Sequence, residues 1–288
     1  MALKVFISND SSDSAFRLAD LFDFSSKKQV IERHTYKNEE QVTLELEFYN
    51  AQANAQRPLV VMIHGGSWNS GDYTQLPAIN HYLASKGFAV AALTYRLAPE
   101  FVFPAQLDDI SDALTWLTER SVQFGFNPSC VVLGGRSAGG HLALTAAYGQ
   151  PELNVRGVFA YYAPNDMNWS WENPAPSHIL DTPKTLSEFL GGTPATATTA
   201  YALASPYQFV DGQVPPTLLI HGGMDRLVSI RQSRRLVDKL NSLDVKTALV
   251  HLPWATHGCD ANLNGPSGQI STWAIEQFLE HLAVNDCK

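Results

Sequence analysis

Hydrophobic and polar residues alternate differently in the first part of the chain and in the rest of it. Residues 29–36 and 42–49 alternate apolar with polar side chains and are separated by KNEEQ. This pattern predicts a half-exposed β-hairpin at the edge of a sheet. Later apolar runs are short and mostly continuous, namely residues 59–63, 88–94, 130–133, 157–162, 217–220 and 248–252. Strands of this kind are covered on both faces, as in a mainly parallel sheet.

Helical spacing of apolar residues appears between these runs. Two sets share one helical face each, Leu107, Ile110, Leu114 and Leu117 after Pro104, and Ile270, Trp273, Ala274 and Phe278 near the C-terminus. Strand and helix therefore alternate, which predicts an α/β fold with a doubly wound, mostly parallel sheet that begins with an antiparallel hairpin. We interpret residues 1–288 as a single domain of this kind.

Two segments depart from the alternation. Residues 1–28 contain a candidate amphipathic helix around Phe16 to Phe22, and residues 165–210 form a long insertion rich in Pro, Thr and Trp. An insertion of this length inside a compact domain usually has a function of its own. We expect both segments to be cap or lid elements, which together make a small cap.

Composition narrows the classes of partner and compartment. The chain has 288 residues, 45% of them hydrophobic, and a formal net charge of −8 without any run of lysine or arginine. This charge disfavours a nucleic-acid partner. The chain has neither an apolar run of 18 residues nor the apolar core of a signal peptide, so we expect a soluble cytoplasmic protein without a membrane span.

The three cysteines, Cys130, Cys259 and Cys287, show no C-x-x-C spacing. We therefore expect neither a structural zinc site nor a disulfide framework. Cys259 lies two residues after a candidate catalytic histidine and is weighed as an alternative nucleophile, although nothing near it supplies the usual activating groups.

A glycine-rich stretch, GGRSAGGHLAL at residues 134–144, gives the first chemical signal. Gly135 to Gly139 fit G-x-S-x-G, and Ser137 follows a buried strand and precedes a helix that we expect to end at Gly149. A nucleophile elbow requires this context of strand, tight turn and helix. It also requires small neighbours, because glycine has no Cβ and lets the strained turn approach the adjacent backbone closely. The pattern predicts Ser137 as a nucleophile.

A serine nucleophile needs a base and an orienting carboxylate, which in this kind of fold follow it in the order acid, then histidine. Asp225 lies in a turn after the strand TLLI, and His257 lies in a loop after the strand ALVHL. We predict these two as acid and base. Other candidates are less suitable, because His141 is within a helix, His221 is expected to fix the turn that holds Asp225, and Asp260 is too close to His257 in sequence to orient its ring easily.

The segment HGGSW at residues 64–68 ends another buried strand. Its glycines allow consecutive backbone N–H groups to point at a carbonyl oxygen that gains charge in the transition state. With the N–H of Ala138 these groups would form an oxyanion hole. The alternative is an ordinary tight turn with a packed tryptophan.

Five motifs together resemble a known family. HGGSW, YRLAPE with FPAQLDD, GRSAGG, HGGMD and THG occur in order between about residues 58 and 282. They are similar to the α/β-hydrolase fold and, within it, to the hormone-sensitive-lipase-like carboxylesterases and acetylesterases. The resemblance implies Ser137 as nucleophile, Asp225 as acid and His257 as base, with the oxyanion donors Gly66, Ser67 and Ala138. It also implies that Arg96 and Glu100 brace the sheet through a buried ion pair or hydrogen bonds.

The sequence departs from that family in several places. Ser67 replaces the third glycine of the usual H-G-G-G, and HGG-x-W is also similar to arylformamidases, which hydrolyse N-formylkynurenine. Arg136 stands where many relatives carry Asp or Glu. The short N-terminal cap region favours a small acyl pocket, for which Trp68, Trp169 and Trp171 are candidates, with core packing as the alternative for each.

We therefore expect a serine hydrolase that cleaves short-chain carboxylic esters through an acyl-enzyme, with no metal or organic cofactor. Its partner would be a small-molecule ester, and a homodimer stays open. The alternatives are an arylformamidase-type amide hydrolase and a non-catalytic ligand-binding relative.

Overall fold

The structure, a computed structural model, describes residues 30–50, 57–75, 77–285 and 287. Among these residues, strands β1 to β8 form one sheet in the order β1-β2-β4-β3-β5-β6-β7-β8. The strands are Val30–Glu39, Val42–Asn50, Leu59–Ile63, Ala89–Leu93, Val131–Arg136, Val155–Tyr161, Thr217–Gly222 and Thr247–Leu252. The pairs β1–β2 and β2–β4 are antiparallel and the other pairs are parallel. The predicted fold class is confirmed, and the predicted helix around Phe16 lies outside the described residues.

Helices α1 to α9 follow in chain order as Ala78–Ser85, Ala105–Glu119, Ser121–Phe124, Ala138–Gly149, Met167–Glu172, Thr182–Leu190, Thr198–Leu203, Arg231–Ser242 and Pro266–Asn285. Short 3-10 turns lie at Pro151–Leu153 and Pro206–Phe209. Within the described part of the chain, none of the helices is both long enough and apolar enough to cross a membrane.

The sheet separates two hydrophobic cores. Along β3, Leu59, Val61 and Ile63 pack into the core that contains α2, α4 and α8, whereas Val60 and Met62 pack into the core that contains α1 and α9. Successive side chains of a strand point to opposite faces, so a fully buried strand must be apolar at every position. The continuous apolar runs in the sequence follow from this arrangement.

The insertion at residues 165–210 carries α5, α6 and α7 and shares the core of α2 and α4. Phe189 and Tyr201 from the insertion are fully buried in that core. Two aspartates are the N-caps of α5 and α6. The Asp166 side chain accepts a hydrogen bond from the backbone N–H of Trp169 at 3.0 Å, and the Asp181 side chain accepts one from the backbone N–H of Lys184 at 3.1 Å. The insertion is thus packed against the domain rather than extended from it.

The YRLAPE segment is fixed by a buried carboxylate. Arg96 Nε donates to Asp109 Oδ1 at 2.8 Å, and Lys37 Nζ from the edge hairpin donates to the same oxygen at 3.1 Å. The bracing ion pair expected for Arg96 is confirmed, with Asp109 as its partner. The expectation for Glu100 is wrong, because this residue is exposed to solvent.

The cysteines correct a second expectation. Cys130 and Cys287 form a disulfide, with their Cα atoms 5.1 Å apart, although 157 residues separate them in sequence. The pairing arises because the end of α9 lies beside the start of β5, where Asn127 Nδ2 also donates to the Cys287 carbonyl at 3.1 Å. Spacing along the chain carries no trace of this proximity.

Candidate active site

Ser137 lies in a sharp turn between β5, which ends at Arg136, and α4, which begins at Ala138. Its backbone has φ 51° and ψ −118°, a conformation that non-glycine residues rarely adopt. Such strain persists where the surrounding structure fixes it, and it is concentrated at functional sites. Here the Ser137 N–H donates to the Tyr161 carbonyl at 2.9 Å, which ties the turn to the neighbouring strand β6.

Two glycines around Ser137 are required by close backbone contacts. A Cβ on Gly135 would lie 2.4 Å from the backbone of Gly139, and a Cβ on Gly139 would lie 2.2 Å from the carbonyl oxygens of Ile63 and His64. A larger residue at position 139 would therefore push the end of β3 away from α4, and one at position 135 would push α4 away from β5. The close approach expected from G-x-S-x-G is present in the structure.

The three residues predicted as nucleophile, base and acid lie together. His257 Nε2 is 3.1 Å from Ser137 Oγ, and His257 Nδ1 is 2.7 Å from Asp225 Oδ2. They follow β5, β8 and β7, whose carboxyl ends lie at the same edge of the sheet. Because a carboxylate only accepts, His257 Nδ1 carries the proton and Nε2 is free to accept one from the serine hydroxyl.

The side chain of Asp225 is buried, and both of its carboxylate oxygens are hydrogen-bonded. Its Oδ1 accepts from the N–H groups of Leu227 at 2.8 Å and Val228 at 2.9 Å, and His221 Nε2 lies 3.3 Å from Oδ2. Burial favours a higher pKa for Asp225, but the hydrogen bonds from His221 and His257 outweigh it and lower the pKa below its ordinary value. The carboxylate therefore stays ionised beside His257, and His221 supports its turn as expected.

Residues 64–68, which we call the oxyanion turn, lie against Ser137. A Cβ on Gly65 would be 3.5 Å from Ser137 Cβ. The Gly65 N–H is occupied, because it donates to Gln75 Oε1 at 2.8 Å. By contrast, the N–H groups of Gly66, Ser67 and Ala138 have no hydrogen-bond partner among the described residues. These are the three groups that the sequence analysis predicts as oxyanion donors.

The three candidate pocket tryptophans have different surroundings. Trp68 is buried, and its ring stacks on Phe189 at 4.3 Å, so its contacts are those of a core residue. Trp169 lies beneath the Arg235 guanidinium at 5.5 Å, and Trp171 makes an edge contact with Tyr201 at 6.0 Å. A pocket role for Trp169 and Trp171 stays a prediction.

A buried charged network lies beside His257. Arg136 forms an ion pair with Asp260, and the Tyr162 hydroxyl donates to the same carboxylate. The Tyr162 ring lies 4.3 Å from the ring of His257. Burial, together with the charge of Asp260, raises the pKa of Tyr162, so the phenol stays protonated and donates. The network joins the residue before Ser137 to residues 253–265, which we call the histidine loop.

Sequence reasoning missed this network. It noted Arg136 as a departure from the family and dismissed Asp260 as the catalytic acid, without connecting the two. The available signal was the arginine itself, because an arginine at the end of an otherwise apolar buried strand requires a buried counter-charge.

Other candidate chemistry finds less support. Burial, then the charges of Asp260 and Asp225, raises the pKa of Cys259 to about 12, so its thiol is protonated at neutral pH and is a poor nucleophile. Among the described residues, no group of three or more His, Cys, Asp or Glu side chains is arranged to hold a metal ion.

Comparisons with known proteins identify a matching family and similar esterases. The family model described as BD-FAE matches residues 46–240. Two curated relatives from Mycobacterium tuberculosis are the probable carboxylic ester hydrolase LipM, 27% identical over 77% of this chain, and the esterase LipC, 28% identical over 78%. The chain spans only 54% and 58% of these relatives' own lengths.

Solved structures of esterases are similar to this chain in fold. Esterase B from Lactobacillus rhamnosis (HN001) superposes with a TM-score of 0.74 at 27% identity, covering 88% of this chain and 86% of that one. Esterase 2 from Thermogutta terrifontis has a TM-score of 0.71 at 24% identity, covering 88% and 91%, and supports the fold. Since the family model matches more than half of its length, the chain belongs to the BD-FAE family, with the fold of the hormone-sensitive-lipase-like α/β-hydrolase esterases.

Proposed function

We propose that the protein is a serine hydrolase that cleaves short-chain carboxylic esters. The observation that carries this proposal is the unbroken hydrogen-bond chain from Ser137 Oγ through His257 to Asp225, with distances of 3.1 and 2.7 Å. Such a chain activates a serine hydroxyl, which is otherwise a weak nucleophile. The names of the similar proteins, carboxylic ester hydrolase and esterase, support an ester as the substrate.

In the proposed reaction, His257 Nε2 takes the hydroxyl proton as Ser137 Oγ attacks the ester carbonyl carbon. The resulting oxyanion accepts hydrogen bonds from the N–H groups of Gly66, Ser67 and Ala138. His257 then protonates the leaving alcohol, and an acyl-enzyme forms. Water, deprotonated by His257, cleaves the acyl-enzyme by the same route, while Asp225 stabilises the imidazolium.

A preference for short acyl chains is supported by how the insertion packs. Trp68, the last residue of the oxyanion turn, and Phe103 both contact Phe189 of the insertion, and all three residues are almost fully buried. We expect aromatic side chains packed in this way to leave little volume for a long acyl chain. We therefore expect acetyl to butyryl esters to be the fastest substrates.

The test is a panel of p-nitrophenyl esters of increasing acyl length, with wild type, Ser137→Ala and the exposed control Ser129→Ala. Wild type and the control should be fastest on acetyl to butyryl esters, and Ser137→Ala should lose at least about 10³-fold in kcat/KM. Full activity of Ser137→Ala would refute the triad, and fastest turnover of long chains would refute the small pocket. N-formylkynurenine in the same assay measures the amide alternative, and a preference for it would replace the ester as substrate.

A further inference from the structure

Trp68 and His141 form a buried hydrogen bond that joins the two halves of the candidate active site. Trp68 is the last residue of the oxyanion turn. His141 lies one helical turn after Ser137, and its backbone N–H donates to the Ser137 carbonyl at 2.9 Å. The Trp68 indole Nε1 donates to His141 Nδ1 at 3.0 Å. Neither side chain takes part in the proposed reaction.

The direction of this bond determines the state of the histidine. An indole nitrogen can only donate, so His141 Nδ1 must be unprotonated and the ring proton must be on Nε2. That proton is donated to the Ala204 carbonyl, 2.6 Å away at the end of α7. Burial lowers the pKa of His141 to about 4, so at neutral pH the ring has the neutral form that both bonds require.

The oxyanion turn needs such an anchor because its backbone is strained. Gly66, Ser67 and Trp68 have φ values of 118°, 52° and 61°, and the latter two are not glycines. Residues in this region keep their conformation only when the surroundings fix it. Trp68 is fixed at three points, by its indole bond to His141, by the Ala98 N–H donating to its carbonyl at 2.9 Å, and by stacking on Phe189 of α6.

We infer that Trp68 and His141 are positioning residues, which hold the N–H groups of Gly66 and Ser67 in the orientation that receives the ester oxyanion. Both residues also contact the insertion, because Trp68 stacks on Phe189 and His141 Nε2 donates to the Ala204 carbonyl. The packing of the insertion therefore helps to fix the orientation of these N–H groups. The inference rests on the proposed function, because it concerns how that reaction's oxyanion is bound.

The predicted signature lies in kcat. Oxyanion donors stabilise charge that develops in the transition state, so their misplacement lowers kcat and leaves KM almost unchanged. A residue that only lined the acyl pocket would change KM instead, and a residue that only stabilised the core would change the melting temperature without a specific effect on kcat.

Four variants test this, with p-nitrophenyl butyrate as substrate. Trp68→Phe removes the donor but keeps a stacking ring, and His141→Leu removes the acceptor. His141→Asn restores an acceptor oxygen near the position of Nδ1, and Trp116→Phe on α2 is the matched tryptophan control. We expect Trp68→Phe and His141→Leu each to lose roughly 10- to 50-fold in kcat, less than the 10²-fold or more of a deleted oxyanion donor. His141→Asn should recover to within about five-fold of wild type, and KM should change by less than about three-fold throughout.

Two further measurements keep the test decisive. A trifluoromethyl ketone mimics the tetrahedral oxyanion, so its affinity should fall in parallel with kcat for Trp68→Phe. The double variant Trp68→Phe/His141→Leu should be no slower than the slower single variant, because both remove the same bond. If His141→Leu does not fold, Trp68→Phe and His141→Asn decide alone.

The outcomes separate the two proposals. A wild type that does not hydrolyse the ester, or an active Ser137→Ala, refutes the proposed function and this inference with it. An active, Ser137-dependent wild type with unchanged kcat in folded Trp68→Phe refutes only the inference. So does a loss confined to KM, or a His141→Asn variant as slow as His141→Leu.

Discussion

The oxyanion turn and the histidine loop both reach Ser137, but they are held by different kinds of interaction. The oxyanion turn is fixed by uncharged groups, namely the Trp68–His141 hydrogen bond and the stacking of the His64 ring on Tyr95 at 4.2 Å. The histidine loop is fixed by the buried ion pair of Asp260 with Arg136. The oxyanion turn therefore depends on packing and neutral hydrogen bonds, and the histidine loop depends on a charged pair.

This difference determines how each region should fail. A buried ion pair costs desolvation when it forms, and the loss of either partner leaves an uncompensated charge in the interior. A region built from glycines and neutral hydrogen bonds has no such charge, so it fails when a side chain is added or when a buried imidazole becomes protonated. The predictions below disturb one region at a time.

The largest effect should come from Asp260→Asn, which removes the buried carboxylate that pairs with the Arg136 guanidinium. We expect the free energy of unfolding to fall by about 3–5 kcal/mol, as for other buried pairs that lose one partner. Urea denaturation measures it, with the exposed Asp238→Asn as control. The double variant Arg136→Met/Asp260→Leu should recover much of the loss. A loss no larger than the control's would show that the ion pair does not hold the loop.

The next largest effect should come from Gly139→Ala in α4, the helix that follows Ser137. The new Cβ would lie 2.2 Å from the Ile63 and His64 carbonyl oxygens, so β3 and the oxyanion turn must move. We expect a loss of about 1–3 kcal/mol in stability and a kcat reduced by roughly 10²-fold. Gly149→Ala on the same helix is the matched control, because its Cβ would meet nothing closer than 3.7 Å. Wild-type kcat in Gly139→Ala would contradict the argument.

The same comparison explains which parts of the site could be predicted from the sequence. The elbow at Ser137, the oxyanion turn and the turn of Asp225 each follow an apolar strand and contain glycines where the backbone requires them. Such features are local, because the residues that fix the conformation lie within a few positions of one another. Chain order then assigned His257, and the structure brings it to Ser137.

The missed features all depend on contacts between distant parts of the chain. Arg136 and Asp260 are 124 residues apart, and Cys130 and Cys287 are 157 apart. Trp68 and His141 are both within recognised motifs, yet their hydrogen bond spans 73 residues. Local patterns specify the elements, whereas these partners become neighbours only after the sheet and its helices have packed.

The smallest predicted effect is a loss of stability at acidic pH, and it depends on His64 of the oxyanion turn and on His141, which anchors that turn. Burial lowers the pKa values of His64 and His141 to about 4, below the ordinary value of 6.5. The unfolded chain therefore binds more protons than the folded protein between these two pH values, and the free energy of unfolding should fall as the pH drops through that window. Well above pH 6.5 both histidines are neutral in either state, so stability is retained.

Asp225 acts in a separate pH range, because its pKa is lowered from 3.8 and its contribution is lost only at more acidic pH. At pH 5, each buried histidine should cost on the order of 1–2 kcal/mol relative to pH 7. Urea denaturation at both pH values should show that the free energy of unfolding falls less between pH 7 and pH 5 in His141→Asn than in wild type. In the exposed control His178→Asn it should fall as much as in wild type. Equal acid losses in all three proteins would mean that His141 is not held neutral in the folded state. The oxyanion turn would then not be held by uncharged groups alone.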